Sequence, residues 1–145
     1  MNIFMLNDSI NFLVNKTAQK FKLELNRKLK KSGLDISSDQ WTVLMFLSDN
    51  NGPTQTDLAQ KLYKDRANLT RILDLMEKSQ LVERQRSSTD RREYNVFITE
   101  KGTSLIPQLK IIGDSVMDKA LKGANAEEIK GIKHFLNKLF INLDN

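Results

Sequence analysis

The chain has 145 residues, of which 39% are hydrophobic, with no cysteine and a formal net charge of +5. This length and apolar content suit one domain with its own core, and the lack of cysteine excludes disulfides, thiolate metal sites and thiol-based redox sensing. The apolar stretches are too short to span a membrane and the amino terminus lacks the pattern of a secretory signal, so we expect a cytoplasmic protein without a membrane partner.

The positive charge is concentrated in the first two-thirds of the chain. Residues 1–33 contain seven Lys and Arg against two acids, and residues 84–92 contain four arginines against one acid, Asp90. This distribution is compatible with a polyanionic partner, although a modest excess of lysine is also common in ordinary soluble proteins. The segment 84–92 is the densest positive point of the sequence.

The amino-terminal third predicts two helices. Apolar residues recur at helical spacing from Ile10 to Leu29, and Gly33 supplies a stop, which predicts a first helix of about six turns. Ser37 and Gln40 form the pattern of a capping box ahead of an apolar run that contains Trp41. The second helix is therefore expected to be well buried.

The central third predicts two further helices and a hairpin. The break at residues 51–53 is followed by Thr54 and Asp57, a second capping pattern that opens a short helix. Asp65 caps a fourth helix, whose apolar residues fall at i, i+3, i+4 and i+7 from Leu69. The β-type runs "LVERQR" and "EYNVFIT" are joined by "SSTDRR", which predicts a hairpin with an arginine-rich tip.

The last third predicts two long helices. One begins at Thr99 and contains Pro107, which removes a backbone hydrogen bond and should bend it. The other is capped by Asn125 and Glu128. The fold class is therefore mainly α, or α+β by strict count, and a single domain covers residues 1–145.

Two short helices followed at once by a hairpin is the order of a winged helix-turn-helix. On the fourth helix, Ala67, Arg71, Asp74 and Lys78 lie opposite the apolar face, with Asn68 and Thr70 beside them. The major groove of DNA, about 12 Å wide, admits such a helix, and Asn and Arg can pair with base edges there. The alternative is that these residues are simply the solvated face of an amphipathic helix.

The hairpin tip carries Arg91 and Arg92 next to Asp90. Arginine suits insertion into a narrow minor groove, where the negative potential is concentrated. Because Asp90 would repel phosphates, we expect it to orient one neighbouring arginine by a salt bridge and to leave the other free. Solubility is the alternative explanation of the charge at this tip.

Residues 57–102, "DLAQKLYKDRANLTRILDLMEKSQLVERQRSSTDRREYNVFITEKG", strongly resemble the MarR family of bacterial transcription regulators. The most specific part is "LVERQRSSTDRR" followed by "ITEKG", with Asp-x-Arg at the wing tip and Thr-x-x-Gly at the entry to the next helix. The resemblance implies a homodimer built from the first and the last two helices (1–33 and 100–145) around winged lobes (37–99). It also implies a recognition helix at 65–79, a wing at 81–99, entry of Arg92 into the minor groove, and repression that a small ligand or other signal relieves.

These considerations give a set of candidate DNA-binding residues. On the recognition helix they are Arg66, Ala67, Asn68, Thr70, Arg71, Asp74 and Lys78. On the wing they are Arg84, Arg86, Asp90, Arg91 and Arg92, and at the entry to the helix-turn-helix they are Thr54, Gln55 and Thr56. We expect such a homodimer to bind pseudo-palindromic double-stranded DNA with half-sites roughly 10 bp apart or a multiple of that.

Dimerisation and effector binding have weaker support from the residues themselves. The segments "MNIFML" and "HFLNKLFINL" carry more apolar surface than a thin lobe can cover, which favours a homodimer over an intramolecular helical layer. Phe12, Phe21 and Trp41 are candidates for lining an effector pocket, for which the resemblance implies a place beside the dimer helices, and core packing is the simpler explanation of the same residues.

The sequence offers no sign of a metal site, cofactor or catalytic centre. His134 is the only histidine, and no nucleophile elbow or phosphate-binding glycine loop occurs. We therefore expect a DNA-binding regulator and not an enzyme. The alternatives are a winged-helix module that binds protein and a small-molecule binding protein without specific DNA binding.

Overall fold

The structure, a computed structural model, describes residues 3–144, with side chains from residue 6 onward. Part of the "MNIFML" segment therefore lies outside the described residues. A 3-10 helix at Ile3–Asp8 precedes six α-helices and one two-stranded sheet. Their bounds are α1 (Ile10–Lys31), α2 (Ser38–Asp49), α3 (Gln55–Lys61), α4 (Arg66–Lys78), β1 (Val82–Arg86), β2 (Tyr94–Ile98), α5 (Glu100–Ala120) and α6 (Ala126–Leu143).

The helices begin where the sequence places their caps. Each capping side chain accepts a hydrogen bond from a backbone N–H in the first turn, which satisfies a donor that the helix itself leaves unpaired. The four caps that match the sequence prediction are Ser37, Thr54, Asp65 and Asn125, and Thr99, where the sequence predicted that a helix begins, caps α5. In α6 the capping box is complete, because Glu128 also accepts from the Asn125 N–H. The first helix ends before Gly33, whose φ of 78° is in the left-handed region.

The core lies between α2, α4, α5 and the root of the hairpin. Its fully buried members include Leu44, Leu73, Val96 and Leu109, one from each of these elements. The long helix α5 packs against both α1 and α2 and is continuous through Pro107. This arrangement joins the amino-terminal helix to the small lobe that contains α3, α4 and the hairpin.

The two strands form an antiparallel hairpin that is tied to the helical lobe at its root. Val82 pairs with Ile98 at one end of the ladder and Arg86 pairs with Tyr94 at the other. The loop before α3 joins the far side of β2, since the Gly52 N–H donates to the Val96 carbonyl at 3.0 Å. The residues between the strands, 87–93, form the tip.

The carboxy-terminal helix α6 projects from the rest of the chain. None of its described side chains is buried, and a row of large apolar residues is exposed along it. Its main aromatic contact is between Phe140 and Tyr63, whose ring centroids are 5.1 Å apart in an edge-to-face arrangement. Tyr63 belongs to the turn between α3 and α4 and has a positive φ of 54°.

Candidate nucleic-acid interface

The outer face of α4 presents polar and positively charged side chains to solvent. The helix is held from behind by four buried apolar residues, Leu69, Ile72, Leu73 and Met76. The exposed candidates on the opposite side are Arg66, Ala67, Thr70, Arg71, Asp74 and Lys78. Asn68 is half-buried. The structure therefore brings these candidates onto one accessible helix surface, the arrangement that entry into a major groove requires.

Hydrogen bonds order part of this surface before any ligand is present. The Arg71 guanidinium donates to the Asn68 side-chain carbonyl at 2.5 Å, and the Gln55 side-chain amide donates to the Thr70 hydroxyl at 3.4 Å. The second contact links the first turn of α3 to α4. An ordered donor surface loses less side-chain entropy when it binds a partner.

The tip of the hairpin carries exposed arginines whose orientation is partly fixed. Asp90 accepts from the backbone N–H of Arg92 at 3.0 Å and from its Nε at 3.3 Å. The Arg92 side chain is nevertheless 91% exposed. Arg91 is exposed and has no hydrogen bond or ion pair with any side chain that the structure describes. Asp90 thus pairs with one arginine and leaves the other free, and the arginine that it orients is Arg92.

Arg84 and Asp74, two of the candidate DNA-binding residues, form an ion pair with each other. The Arg84 guanidinium donates to Asp74 at 2.6 Å and to Glu77 at 2.9 Å, and its side chain is only 17% exposed. The hydrogen bond from Arg84 also lowers the pKa of the Glu77 carboxyl. Arg84 therefore fastens β1 to α4, because its Nη2 donates to two carboxylates on that helix.

Arg86, two residues further along β1, is exposed on the surface. Its guanidinium donates to the Tyr94 hydroxyl at 3.2 Å and lies 5.6 Å from the centre of the Tyr94 ring. This contact holds the side chain across the hairpin without burying it. A guanidinium stacked on an aromatic ring keeps donors free for phosphate.

A groove lies between α1, α2 and α5, on the border between the long helices and the lobe. Its volume is about 320 Å³ and its walls include Phe21 and Trp41. The Trp41 indole N–H donates to the Leu109 carbonyl at 2.8 Å, which fixes the ring. The Ser38 hydroxyl also lines the groove, is buried, and has no hydrogen-bond partner among the described residues. The groove is thus mainly apolar with one unused polar group.

Phe12, the third residue predicted for an effector pocket, does not line this groove. Phe12 lies more than two turns before Phe21 on α1, where Lys16 sits 5.4 Å from its ring centre, and it is not among the residues that line the groove. A residue nine positions away on a helix is about 13 Å further along the axis, which is beyond the reach of this groove.

One ion cluster connects the groove to the turn before α4. Asp39 binds Lys64 at 2.9 Å and Lys22 at 3.4 Å. Burial by itself would raise the pKa of the Asp39 carboxyl, but the hydrogen bonds and charges of these two lysines lower it. Asp39 therefore remains ionised and joins α1, α2 and the α3–α4 turn.

Sequence reasoning missed Glu93, which lies at the boundary between the tip and β2. Its carboxylate accepts a hydrogen bond from the Thr56 hydroxyl of α3, 37 residues away, and Arg66 lies 3.9 Å from the same oxygen. Local pattern gives no signal for so distant a pairing. Within the described part of the chain, no group of three or more His, Asp or Glu residues could hold a metal ion, and no helix is long and apolar enough to cross a bilayer.

The family model described as MarR family matches residues 32–93. An uncharacterised helix-turn-helix transcriptional regulator of Bacillus subtilis, YfiV, is 32% identical over 112 residues, 77% of this chain and 70% of that protein. The regulator SarZ of Staphylococcus haemolyticus is 26% identical over 137 residues and spans 93% of this chain and 92% of that protein.

Solved structures with the same architecture include a protein bound to DNA. A mutant of MarR from E. coli complexed with operator DNA superposes with a TM-score of 0.85 at 27% identity, covering 96% of this chain and 99% of that one. A MarR regulator from Methanosarcina mazei superposes with a TM-score of 0.82 at 27% identity, covering 92% and 94%. The chain has the winged helix-turn-helix fold and belongs to the MarR family of transcriptional regulators.

Proposed function

We propose that this protein regulates transcription as a homodimer that binds pseudo-palindromic duplex DNA, with α4 in the major groove and the hairpin tip in the flanking minor groove. The observation that carries the proposal is the pairing of two surfaces on one lobe. The polar face of α4, with Arg71, stands beside a tip whose Arg91 and Arg92 are exposed. The E. coli MarR structure, similar in fold, is itself bound to operator DNA.

The physical basis is that contacts to phosphates and contacts to bases make different contributions to DNA binding. Arginine and lysine contacts to phosphates supply affinity that does not depend on sequence, whereas Asn68 and Arg71 have the side-chain chemistry to discriminate bases. Asp90 supports this assignment because it orients Arg92 while leaving the far end of the guanidinium exposed. Without this orienting contact, the Asp90 carboxylate would only weaken the attraction of the tip to phosphates.

Dimerisation is supported by the exposed apolar faces of α1 and α6. The large apolar residues of α6 with an exposed fraction of 43% or more are Ile132, Phe135, Leu136, Phe140, Ile141 and Leu143. Ile10, Leu13 and Val14 are exposed on α1. Apolar surface of this extent usually meets a partner, and a second copy would also supply the second half-site reader. Phe135→Glu should give a monomer in sedimentation experiments and abolish cooperative binding to a two-half-site operator.

The DNA interface is tested by salt-dependent titration with duplexes selected from genomic fragments. Arg92→Ala should weaken binding by about 1–3 kcal/mol, and it should flatten the slope of log K against log salt by about one unit if the lost contact is to phosphate. Lys122→Ala is the control, since it removes one positive charge from an exposed loop between α5 and α6. Equal effects of both variants would show that only net charge matters and would contradict the assignment of the tip.

We also propose that a small molecule acting as effector binds the groove beside Trp41 and relieves repression. The chemistry of the walls favours a largely apolar, ring-sized compound with one hydrogen-bonding group for the Ser38 hydroxyl. Compounds that change Trp41 fluorescence should release DNA, and Ser38→Ala should weaken that response. If a compound releases DNA equally well from the unmodified protein and from a Trp41→Phe and Ser38→Ala double variant, the effector binds elsewhere.

A further inference from the structure

Glu93 occupies the point where the hairpin tip joins the rest of the lobe. Its backbone N–H donates to the Asp90 carbonyl at 3.0 Å, and its carbonyl accepts from the Ser87 N–H at 2.9 Å. The tip loop is therefore closed on both sides by the backbone of this single residue. Any change in the orientation of Glu93 must be transmitted to the arginines at the tip.

The side chain of Glu93 points the other way, into the helical lobe. Its Oε1 accepts from the Thr56 hydroxyl of α3 at 2.5 Å and lies 3.9 Å from the guanidinium of Arg66, the first residue of α4. The side chain is 20% exposed, and Oε2 is buried without a partner among the described residues. Such burial of a charged group opposes folding unless a contact compensates for it. The Thr56 contact is the one that holds Glu93 there.

Glu93, the last residue of the tip before β2, makes the outermost contact of this side of the hairpin with α3 and α4. Closer to the root, the loop before α3 holds β2 through two backbone bonds at Val96, one to Gly52 at 3.0 Å and one to Pro53 at 2.8 Å. Beyond Glu93, the hydrogen bonds that the structure describes for the tip are local to it, and they join Ser87, Thr89, Asp90 and Arg92. Within residues 87–93, Glu93 therefore makes the only described polar side-chain contact with α3 or α4, and the other described polar side-chain link from the hairpin to α4 is that of Arg84, further back on β1.

We propose that Glu93 is a positioning residue that sets the direction of the hairpin tip relative to α4, and hence places Arg92 at the correct distance from the recognition helix. This inference rests on the proposed DNA-binding function. Arg66 and Thr56 are then parts of the same latch, defined as the contact of Glu93 with these two side chains. A latch of this kind makes the tip and the recognition helix act as one rigid surface.

A role in positioning and a role in charge predict opposite effects. Glu93 carries a negative charge close to the arginines of the tip, so removing the charge alone should strengthen binding to every duplex. Loss of the latch should instead weaken binding to the cognate duplex, because the tip is no longer aimed at the flanking groove. Glu93→Gln keeps an acceptor for Thr56 without the charge, whereas Glu93→Ala removes both.

The first arm of the test uses the free protein. Glu93→Ala and Thr56→Val should each raise amide hydrogen exchange at Ser87 and Arg92 several-fold relative to the amide of Val96 at the root. Glu83→Ala is the matched control, since Glu83 is an exposed glutamate on β1 of the same hairpin. Unchanged exchange at the tip in both latch variants would overturn the proposal, whatever the outcome with DNA.

The second arm is a double-mutant cycle on the selected duplex. Arg92→Ala should weaken binding by roughly 10-fold in the unmodified protein and in Glu83→Ala. In Glu93→Ala it should weaken binding by less than about 3-fold, because Arg92 has already lost its contact with DNA when the tip is not oriented. In the Glu93→Gln background, Arg92→Ala should still cause most of this loss of DNA affinity. If Arg92→Ala reduces DNA affinity equally in all four backgrounds, the proposal that Glu93 positions the tip is overturned.

The two arms separate failure of the latch from failure of the proposed function. If the unmodified protein binds no duplex selected from its own genome, the DNA-binding function is overturned, and the exchange experiment still decides whether Glu93 orders the tip. If it binds DNA and Glu93→Ala strengthens binding to all duplexes alike, Glu93 acts by charge alone. Hydroxyl-radical footprints should lose the flanking minor-groove protection in Glu93→Ala if the latch is correct.

Discussion

Replacing Gly102 by alanine should destabilise the protein, although the same change stabilises most helices. Gly102 lies in the first turn of α5, where its N–H donates to the capping hydroxyl of Thr99 at 3.1 Å. A Cβ at this position would lie 2.5 Å from the Leu81 carbonyl oxygen and 2.8 Å from Cγ1 of Ile98. This glycine therefore permits a close approach between α5 and the root of the hairpin.

The expected magnitude follows from two opposing effects. Alanine in a helix interior is favoured over glycine by about 0.5–1 kcal/mol. Ordinary contact begins at 3.4 Å, so the Leu81 carbonyl would have to move by about 0.9 Å, and it is fixed by hydrogen bonds from the Thr99 N–H and hydroxyl, both at 3.1 Å. Overpacking of this kind costs about 1–3 kcal/mol, which leaves a net destabilisation on the order of 1 kcal/mol.

Urea unfolding followed by circular dichroism, at two protein concentrations to allow for dimerisation, measures this difference. Gly131→Ala is the matched control, because Gly131 lies inside α6 and a Cβ there would meet nothing within 4 Å in this chain. The control should be stabilised by about 0.5–1 kcal/mol. If Gly102→Ala shifts the midpoint upward as much as the control does, the close contact with Leu81 is not tight in solution and the reasoning fails.

Three further predictions concern the groove, the hairpin and pH. Gly113→Ala would place a Cβ against the Trp41 ring, so it should change the fluorescence emission of this single tryptophan and lower stability. An unaltered emission spectrum would mean that α2 and α5 move apart and leave the surroundings of the ring as they were. Arg84→Ala should destabilise by about 1 kcal/mol in urea unfolding, a value discounted for the partial exposure of Glu77, whereas the exposed neighbour Arg86→Ala should change it by less than about 0.5. Hydrogen bonds from Arg27 and Lys119 lower the pKa of Glu24 from 4.5 to about 2, so its stabilising effect is complete above pH 4.5 and is lost as the pH falls towards 2. The stability difference between the unmodified protein and Glu24→Gln should shrink across that window, and a constant difference would argue against these ion pairs.

The order and ends of the helices could be predicted because their signals are local. Thr54, Asp65 and Asn125 each act on a backbone N–H three residues away, so that a short stretch of sequence contains both partners of the contact. The hairpin could be predicted for the same reason, since its two β-type runs are adjacent in the chain. The Thr-x-x-Gly pattern at residues 99–102 acquires a physical reason in the cap and the close approach to Leu81.

The partners of charged residues could not be predicted, because they depend on packing between distant elements. Arg84 counts as a wing cation in the sequence, but the proximity of Asp74 and Glu77 on α4 draws it inward. Glu93 appears in the sequence as one more loop acid, although it contacts α3 across 37 residues. That Phe12 lies away from the groove beside Trp41 could not be predicted for a related reason, since periodicity gives the face of a helix but not what packs on that face.

The inward turn of Arg84 also changes how the protein should attract a polyanion from a distance. Half of the arginines in residues 84–92 are at the extreme tip, Arg91 and Arg92, and one of the remaining two is neutralised by α4. A small, protruding source of positive potential is screened within a Debye length of about 8 Å at physiological ionic strength. Capture of DNA should therefore depend on short-range collisions of the tip more than on a broad electrostatic funnel.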